Sequence, residues 1–462
     1  MRQFDLCVIG SGPAGQRAAI QAAKLGKSVC VIERAEVVGG AAINTGTIPS
    51  KALREAILHY LGHRAAMPTA HDFQGSGLRS FHQLLNSCQD VIKAEIDIVR
   101  GHFAKNDISL VTGRAQFRDA NTIDVIGAHA SETIGASKVI IAVGTRPSRP
   151  NNVEFDDADI FTSDELLNLR TLPHSMMVVG GGVIGTEYAS MLTALGVKVT
   201  LIEGRPRLLD FVDAEIIEAL QYHLRQSGMT LRLGEKVVKI TKVDAPPGAR
   251  TSNAFMAEAM LESGKVLRAD SLLYCIGRHG ATADLNLSAA GLAADDRGRI
   301  RVNENFQTTV PHIYAAGDVI GFPALASTSM EQGRLAACNA FGVRCENVEN
   351  LLPYGIYAIP EISMVGWTEE RLTAEGIPYE AGIAQYREIA RGQLLGDDIG
   401  MLKMLIHQES HTILGVHAIG TGATELIHIG QAAIAFKATV EYFVNTVFNY
   451  PTLAECYKVA AM

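Results

Sequence analysis

The stretch "FDLCVIGSGPAGQRAAIQAAKLGKSVCVIE", residues 4–33, contains the features that decide the fold. An apolar segment runs into a loop with Gly10, Gly12 and Gly15, and an alanine-rich segment follows. A second apolar segment comes after it and ends at Glu33. This order predicts a strand, a glycine loop, a helix, a second parallel strand and a terminal acid, which is the unit that binds dinucleotides.

The same unit occurs a second time, in "MMVVGGGVIGTEYASMLTALGVKVTLIE", residues 176–203. Its glycines are Gly180, Gly182 and Gly185, and its terminal acid is Glu203. In both copies the acid follows the third glycine by 18 residues. One glycine loop alone is a weak signal, but two copies with matched strand, helix and acid predict two dinucleotide sites.

Each feature that the two units share has a physical reason. The first glycine allows a tight turn, the second lets the backbone approach a pyrophosphate, and the third lets the helix pack closely on the sheet. The phosphates then lie at the helix N-terminus, where free N–H groups and the helix dipole favour negative charge. We expect Glu33 and Glu203 to accept hydrogen bonds from ribose hydroxyls.

Two further segments assign FAD to the first site. In "TTVPHIYAAGDVIG", residues 308–321, a strand places Asp318 at the carboxyl end of a parallel sheet, where ligands gather. In "VIIAVGTRP", residues 139–147, a buried strand runs into a turn at Gly144. Because these segments lie on either side of the second unit, we predict an FAD domain that is interrupted by a nicotinamide domain.

Composition and charge limit the possible functions. The chain has 462 residues, 47% of them hydrophobic and 19% charged, which indicates a folded protein of several domains. A net charge of −8 argues against a nucleic-acid partner. No apolar run approaches the ~20 residues that span a bilayer, and a first strand from about Phe4 leaves no room for a signal peptide.

The seven cysteines form no C-x-x-C or C-x₄-C pair, so we predict reduced thiols in a cytoplasmic protein. Apolar neighbours predict that Cys7, Cys30 and Cys275 lie in buried strands. No metal site is expected: His59 and His63 have metal-ligand spacing on a predicted helix, but no third ligand is evident.

The order of six motifs resembles the pyridine nucleotide–disulfide oxidoreductases, the family of glutathione reductase and dihydrolipoamide dehydrogenase. The motifs are "GSGPAG", "GGAAINTGTIPSK", "GGGVIGTEYAS", "YAAGD", "GIYAIPEISMVGWTE" and "FNYPTLAE". The resemblance implies an α/β fold with two Rossmann-like domains, for FAD and NAD(P), and an α+β C-terminal dimerisation domain. It also implies a homodimer, with higher association left open. The expected division is FAD domain 1–150, NAD(P) domain 151–275, second part of the FAD and central domain 276–345, and dimerisation domain 346–462.

The resemblance also assigns individual residues. It places Lys51 and Glu187 together near flavin N5 as an ion pair that admits the nicotinamide ring. The residues that it adds to the FAD site are Gly39, Gly40, Thr47 and Lys51, and it adds Gly277 to the NAD(P) site. The alternative without a function is that Lys51 and Glu187 are unrelated surface charges on two helices.

The chain departs from the family at its redox centre. Two cysteines of the family's disulfide reductases, five positions apart, are replaced here by Ala42 and Thr47. Near the C-terminus, Tyr450 stands where those enzymes have a histidine base, and a phenol with a pKa near ~10 is a poor base at neutral pH. Threonine and alanine do not change oxidation state, so we expect no disulfide relay. Among the remaining cysteines, Cys88 and Cys456 are the candidates for a substitute thiol.

The nicotinamide site shows a mixed signal. Glu203 favours NAD(H), whereas Arg205 and Arg207 just after it suit the 2′-phosphate of NADP(H). Arginines in a loop are also often only solvated. One loop that accepts both nucleotides is what a transhydrogenase needs.

Within the family the chain is most similar to the soluble (Si-specific) pyridine nucleotide transhydrogenases, which also have threonine at the second cysteine position. The leading hypothesis is reversible hydride transfer between NADPH and NAD⁺, in which the two nucleotides use one site in turn. The alternative is an NAD(P)H:quinone or oxygen reductase of the same family. A third possibility is a catalytically silent FAD-binding partner protein.

Overall fold

The computed structural model describes residues 1–66, 77–128, 130–169, 171–246, 254–345 and 351–462. Contacts divide the chain into two compact units, and each is described by itself. The first unit comprises Met1–Arg149, Ser163–Thr171 and Ile276–Asn347, and the second comprises Pro150–Thr162, Leu172–Cys275 and Val348–Met462. The division into four domains stays a prediction, because the contacts place the nicotinamide and C-terminal segments in one unit.

A seven-stranded sheet is the centre of the first unit, in the order β3-β2-β1-β6-β5-β4 with β17 beside β6. Strand β1 pairs in parallel with β2 and β6, and β17 pairs in parallel with β6. Both faces of these strands are covered, which explains their continuous apolar sequences. The strands are β1 (Arg2–Ile9), β2 (Val29–Glu33), β3 (Ser109–Thr112), β4 (Arg114–Asp119), β5 (Thr122–Ile126), β6 (Ser131–Ile141) and β17 (Ile313–Ala315).

The helices of the first unit are α1 (Pro13–Lys24), α2 (Gly40–Asn44), α3 (Thr47–Ala66), α4 (Gly77–Lys105) and α7 (Ala326–Ala340). Small residues bring two of them, α1 and α7, into close contact. A Cβ at Gly333 of α7 would lie 2.0 Å from the carbonyl oxygen of Ala14 in α1, so only glycine fits there. A short antiparallel pair, β7 (Thr145–Pro147) and β16 (Arg278–Gly280), completes the unit.

The second unit contains a parallel sheet in the order β11-β10-β9-β15-β8. Its strands are β8 (Ile160–Thr162), β9 (Ser175–Val179), β10 (Lys198–Glu203), β11 (Thr230–Leu233) and β15 (Ser271–Tyr274). The helices α5 (Val183–Ala194) and α6 (Ala214–Gln226) belong to it. A separate antiparallel sheet consists of β12 (Val237–Asp244), β13 (Phe255–Leu261) and β14 (Val266–Ala269).

The C-terminal part of this unit is an antiparallel sheet with helices, in the strand order β18-β19-β22-β21-β20. The strands are β18 (Tyr354–Ile356), β19 (Ile362–Gly366), β20 (Tyr379–Gln385), β21 (Met401–His407) and β22 (Ile413–Ile419). The helices are α8 (Glu369–Ala374), α9 (Ala390–Leu395), α10 (Ala423–Ala435), α11 (Val440–Asn445) and α12 (Glu455–Ala461).

Most elements agree with the sequence analysis, and one placement was wrong. Cys7 and Cys30 are buried and face each other across β1 and β2. Cys275 instead follows the end of β15 and is only half-buried, because the strand stops at Tyr274. Among the described residues, no helix combines the length and apolar character needed to cross a membrane.

Candidate active site

The first glycine loop joins β1 to α1 and has the shape that a pyrophosphate needs. Gly10 has φ +106°, and a Cβ there would lie 2.4 Å from the carbonyl oxygen of Ala142. A Cβ at Gly15 would lie 1.9 Å from the carbonyl oxygen of Gly10, so glycine is required for α1 to pack against the strand end. At Gly12 the nearest neighbour of a Cβ would be the Cα of Gly40, 3.9 Å away, which leaves open space for a ligand. These residues fit FAD.

Glu33 is held against this loop by a closed set of hydrogen bonds. Its Oε2 accepts from the backbone N–H of Ser11 at 3.0 Å and from the Ser11 hydroxyl at 2.6 Å. Its Oε1 accepts from the N–H of Ala35 at 3.0 Å. The N–H of Gly39 donates to Ser11 Oγ at 3.0 Å, and a Cβ at Gly40 would lie 2.8 Å from Gly12. The structure therefore brings Gly39 and Gly40 to the first loop.

Asp318 lies just beyond β17, at the carboxyl end of the same sheet. Thr145 Oγ1 donates to its Oδ2 at 3.4 Å, and Ser329 Oγ of α7 donates to its Oδ1 at 3.3 Å. Gly317 before it has φ +83°, and Gly144 before Thr145 has φ +64°. The two segments that the sequence assigned to FAD thus meet through Thr145 and Asp318.

The second glycine loop, between β9 and α5, repeats the geometry of the first. Gly180 has φ +110°, and a Cβ at Gly185 would lie 1.9 Å from the carbonyl oxygen of Gly180. A Cβ at Gly182 would meet no atom within 4 Å, so this glycine is not needed for packing. Gly277, the remaining residue assigned to NAD(P), has φ +82° and lies in the first unit, so its role stays a prediction.

Glu203 ends β10 and is bound by an arginine of its own loop. Its Oε2 accepts from Gly181 N–H at 2.6 Å, and its Oε1 accepts from the Arg205 N–H at 2.9 Å. The Arg205 guanidinium adds Nε to Oε1 at 3.0 Å and Nη2 to Oε2 at 3.1 Å. Its Nη1 donates to Asp210 Oδ1 at 2.6 Å. Burial raises the pKa of Glu203, but the bonds from Arg205 and Gly181 outweigh it, and the pKa lies below its usual value.

The structure describes Lys51 and Glu187 in separate units. Lys51 lies in α3, is half-buried, and its Nζ donates to Ser50 Oγ at 3.3 Å. Glu187 is buried in α5, and its Oε1 accepts from the Tyr357 N–H at 2.9 Å. The predicted ion pair between them stays a prediction.

Two family models match this chain. The model described as "Pyridine nucleotide-disulphide oxidoreductase" matches residues 4–333, which is more than half of the chain. The chain belongs to this family. A second model, its dimerisation domain, matches residues 352–461. Proteins of the family are FAD flavoenzymes that use pyridine nucleotides, and the two glycine loops described above fit one nucleotide of each kind.

Curated relatives of the family extend over the whole chain. A soluble pyridine nucleotide transhydrogenase of Mycobacterium bovis (strain BCG / Pasteur 1173P2) is 50% identical and covers 100% of this chain and 97% of its own length. One of Marinomonas sp. (strain MWYL1) is 45% identical, with coverage of 100% and 98%. A solved structure, the Cu(II) complex of the HOCl-induced flavoprotein disulfide reductase RclA from Escherichia coli, has a TM-score of 0.87. It is 26% identical and covers 100% of this chain and 99% of that chain.

This member of the pyridine nucleotide–disulfide oxidoreductases has no sulfur at the positions of the family's redox pair. Ala42 lies in α2, and Thr47 is exposed at the start of α3. The two candidates for a substitute thiol are also unsuitable. Cys88 is buried and donates from Sγ to the carbonyl oxygen of Leu84 at 3.1 Å, and burial raises its pKa to about 11. Burial raises the pKa of Cys456 to about 12.

The C-terminal "YPTLAE" segment has no group with the properties of the family's histidine base. Tyr450 is exposed and precedes Pro451 through a cis peptide bond. Glu455 begins α12, and its Oε2 is buried without a hydrogen-bond partner among the described residues.

Sequence reasoning missed a buried polar cluster in the second unit. The ammonium of Lys403 contacts Asp213 at 3.0 Å, Glu215 at 2.9 Å and also Glu369. These three carboxylates lie within 4.8 Å of one another, a spacing that suits a cation, and Lys403 supplies that cation. The sequence gives no signal for this cluster, because its members come from distant segments.

Proposed function

We propose that this flavoenzyme catalyses reversible hydride transfer between NADPH and NAD⁺, which yields NADP⁺ and NADH. Bound FAD supplies the hydride chemistry between the two nucleotides. The reaction is balanced without another oxidant or reductant. The curated transhydrogenases that match the full chain at 43–50% identity support this activity.

The observation that carries the proposal is that the chain has both dinucleotide loops but neither cysteine of the family's redox pair. Disulfide reductases of the family pass electrons to a dithiol, and Ala42 and Thr47 cannot accept them. Cys88 and Cys456 are buried and cannot replace the pair. Electrons that enter from a nicotinamide must therefore leave to a molecule that diffuses in, and the second nucleotide is such a molecule.

The residues of the site have separate tasks in this proposal. The first loop, with Gly10, Gly12, Gly15, Gly39 and Gly40, holds the FAD pyrophosphate, because its N–H groups and open space lie at the N-terminus of α1. Glu33, Gly144, Thr47 and Asp318 complete the FAD site. Lys51 supplies positive charge near the flavin, and the pairing of Glu187 with Lys51 that the family resemblance implies stays a prediction. These assignments rest on the motifs and on the local geometry of each unit.

One nicotinamide site serves both nucleotides in turn. Gly180, Gly182 and Gly185 hold the pyrophosphate at the N-terminus of α5, and the part of Gly277 in NAD(P) binding stays a prediction. Glu203 accepts from the ribose of NAD(H), and Arg205 offers a cation to the 2′-phosphate of NADP(H). No second nucleotide pocket is needed for this cycle.

We further propose that the enzyme is a cytoplasmic homodimer. Large apolar side chains are exposed on the C-terminal segment of the second unit, and exposed apolar patches of this kind mark interfaces. Their exposed fractions are 85% for Phe436, 54% for Tyr442, 91% for Val447 and 69% for Tyr450. The match to the dimerisation domain covers these residues.

An anaerobic assay with NADPH and a thio analogue of NAD⁺ tests the activity, because the reduced analogue absorbs apart from NADPH. We expect steady reduction of the analogue that depends on bound FAD. FAD bleaching by NADPH without reduction of the analogue would contradict the proposal. If, in addition, oxygen or a quinone restored turnover, the reductase alternative would replace it.

A further inference from the structure

Arg205 is shared between two carboxylates, and this sharing determines how the nicotinamide site distinguishes its substrates. Its Nε and Nη2 bind Glu203, while Nη1 binds Asp210 at 2.6 Å. The Glu203 side chain is only 9% exposed, whereas those of Arg205 and Asp210 are 39% and 51% exposed. The arginine and the aspartate can therefore move at little cost, and the glutamate cannot.

In the described conformation the Glu203 carboxylate has no hydrogen-bond acceptor position left for a ribose hydroxyl. A carboxylate offers about four lone-pair positions. Gly181 N–H, the Arg205 N–H, Nε and Nη2 fill them, at distances of 2.6–3.1 Å. NAD(H) can therefore bind its ribose hydroxyls to Glu203 only if the guanidinium leaves that carboxylate.

NADP(H) makes the opposite demand on the same arginine. Its 2′-phosphate carries close to two negative charges at neutral pH. Glu203, Arg205 and Asp210 together have a net charge of minus one, which repels such a group. Binding of the 2′-phosphate requires an ion pair with the Arg205 guanidinium. It also requires that the negative charge of Glu203 remains neutralised. Asp210 competes with it, since Asp210 already holds Nη1.

We propose that Asp210 is the residue that sets the preference between NAD(H) and NADP(H), because it provides Arg205 with a second position. When NAD(H) binds, Arg205 stays on Asp210 and withdraws from Glu203, which then accepts the ribose hydroxyls. When NADP(H) binds, the 2′-phosphate replaces Asp210 on Nη1, and Nε and Nη2 stay near Glu203. This inference rests on the proposed function, since it concerns the same nucleotide site.

The rest of the loop fits this assignment. A Cβ at Gly181 would lie 2.4 Å from Leu208 Cδ2 and 3.1 Å from Glu203 Cβ, so a larger residue there would displace these side chains. Arg207 is held elsewhere, by Glu370 at 3.6 Å. Asp210 and Arg207 both line an open cleft with Phe211 and Thr368, so the Asp210 carboxylate can turn away when the phosphate arrives.

The test is equilibrium binding of NAD⁺ and NADP⁺ to the FAD-loaded enzyme by calorimetry, with variants of the two mobile residues. For Asp210→Asn we expect the ratio of the NADP⁺ to the NAD⁺ association constant to rise ~3- to 10-fold, since the charge repelled by the phosphate is removed and NAD(H) loses the second arginine position. For Arg205→Gln we expect NADP⁺ binding to fall ~10- to 100-fold while NAD⁺ changes less than ~3-fold. Arg205→Lys should restore part of the NADP⁺ binding, because it keeps the charge.

Glu218→Gln is the matched control, because it removes an exposed negative charge on α6 of the same unit. We expect it to leave the ratio unchanged. Competition by adenosine 2′-monophosphate against adenosine 5′-monophosphate should follow the same order as the ratios for the full nucleotides.

An unchanged ratio in Asp210→Asn would overturn the inference, as would equal loss of both nucleotides in Arg205→Gln. A larger loss of NADP⁺ binding in Arg207→Gln than in Arg205→Gln would also overturn it. These outcomes are distinct from failure of the proposed function, because the wild-type enzyme would still pass hydride from NADPH to the NAD⁺ analogue.

Discussion

Ser11 and Arg205 are the main difference between the hydrogen bonds of the two glycine-loop units. Both Glu33 and Glu203 accept a backbone N–H from the glycine loop and another from the residue two positions beyond. The remaining acceptor positions differ. In the first unit the buried Ser11 hydroxyl binds Glu33, and in the second the half-exposed guanidinium of Arg205 binds Glu203. We expect the buried network to suit a resident cofactor, and the half-exposed ion pair to suit a substrate that must leave.

The substitution Ser11→Ala should destabilise the first site. The Ser11 hydroxyl donates to Glu33 and accepts from the Gly39 N–H, so its removal leaves a buried carboxylate oxygen and a buried N–H short of partners. We expect a loss of about 1–3 kcal/mol in the binding free energy of FAD or in the free energy of unfolding. Urea denaturation and FAD release by gel filtration measure both. Ser227→Ala, at the exposed end of α6, should change neither, and equal effects of the two variants would contradict this role.

For individual residues, the sequence predicts those whose role follows from the local backbone. It misses those whose role depends on contacts with distant segments of the chain. The glycines and terminal acids were predictable, because turn geometry and strand ends fix their positions. Asp210 was not, because nothing in "EGRPRLLDF" shows that the chain returns its carboxylate to Arg205. The sequence leaves Cys88 and Cys456 as candidates for a reactive thiol. Only the fold shows that both are buried.

In the glycine loop between β9 and α5, we expect Gly185 to be required for folding and Gly182 for nucleotide binding. Gly185→Ala places a Cβ 1.9 Å from the carbonyl oxygen of Gly180, so we expect misfolding or a loss of several kcal/mol of stability. Gly182→Ala meets no atom within 4 Å, so the fold should remain. Its Cβ takes the space of the pyrophosphate, and we expect NAD⁺ and NADP⁺ binding to weaken together, by ~10-fold or more.

Circular dichroism, bound FAD and calorimetry distinguish these results. A Gly182→Ala protein that binds both nucleotides as the wild type does would contradict the assignment of this loop to the pyrophosphate.

The buried cluster around Lys403 connects elements that are far apart in the sequence. Asp213 is the N-cap of α6, Glu369 begins α8, and Lys403 and His417 lie on β21 and β22. Burial raises the pKa of Asp213, but the hydrogen bond and charge of Lys403 and the Glu369 backbone N–H outweigh it, and the pKa lies below its usual value. Periodicity predicted the strands and helices, but it could not predict that their polar residues meet.

The stability of the protein should fall as the pH falls from about 7 to about 5, and His417 should be a cause. Burial lowers the pKa of His417, its Nε2 bonds the carbonyl oxygen of Trp367 at 2.9 Å, and its Nδ1 is buried without a hydrogen-bond partner among the described residues. The unfolded chain takes up a proton below about 6.5, and the folded chain does not, so each step down in pH favours unfolding.

The urea midpoint as a function of pH measures this effect. We expect His417→Gln to be less stable at pH 7 but to have a flatter pH profile, with a difference in slope of up to about 1.4 kcal/mol per pH unit. The exposed His428 provides the control, and His428→Gln should keep the wild-type slope. A wild-type slope in His417→Gln would contradict the account.

The whole molecule combines two repeated nucleotide units with a C-terminal segment that exposes apolar side chains. The repeat and the order of motifs were sufficient to predict the architecture, because a family fold depends on pattern over the full chain.

The substitution Val447→Arg should weaken the proposed dimer. Val447 is 91% exposed in one chain, and an arginine there would place a charge among the apolar side chains of the C-terminal segment. Sedimentation velocity of the wild type should give about twice the chain mass of 49.5 kDa, and the variant should shift towards the monomer. Tyr222→Arg, on the exposed face of α6, is the control and should remain a dimer. A monomeric wild type would contradict the proposal.

An anaerobic reductive titration shows whether bound FAD has a sulfur partner in this enzyme. Dithionite is added to the oxidised holoenzyme while the flavin spectrum is followed to complete reduction. Because a disulfide takes up two electrons of its own, the number of electrons taken up per FAD distinguishes a flavin alone from a flavin with a disulfide. We expect two electrons per FAD, with no thiols gained by quantitative alkylation. Uptake of four electrons, with two new thiols, would show that a disulfide accepts electrons from the flavin.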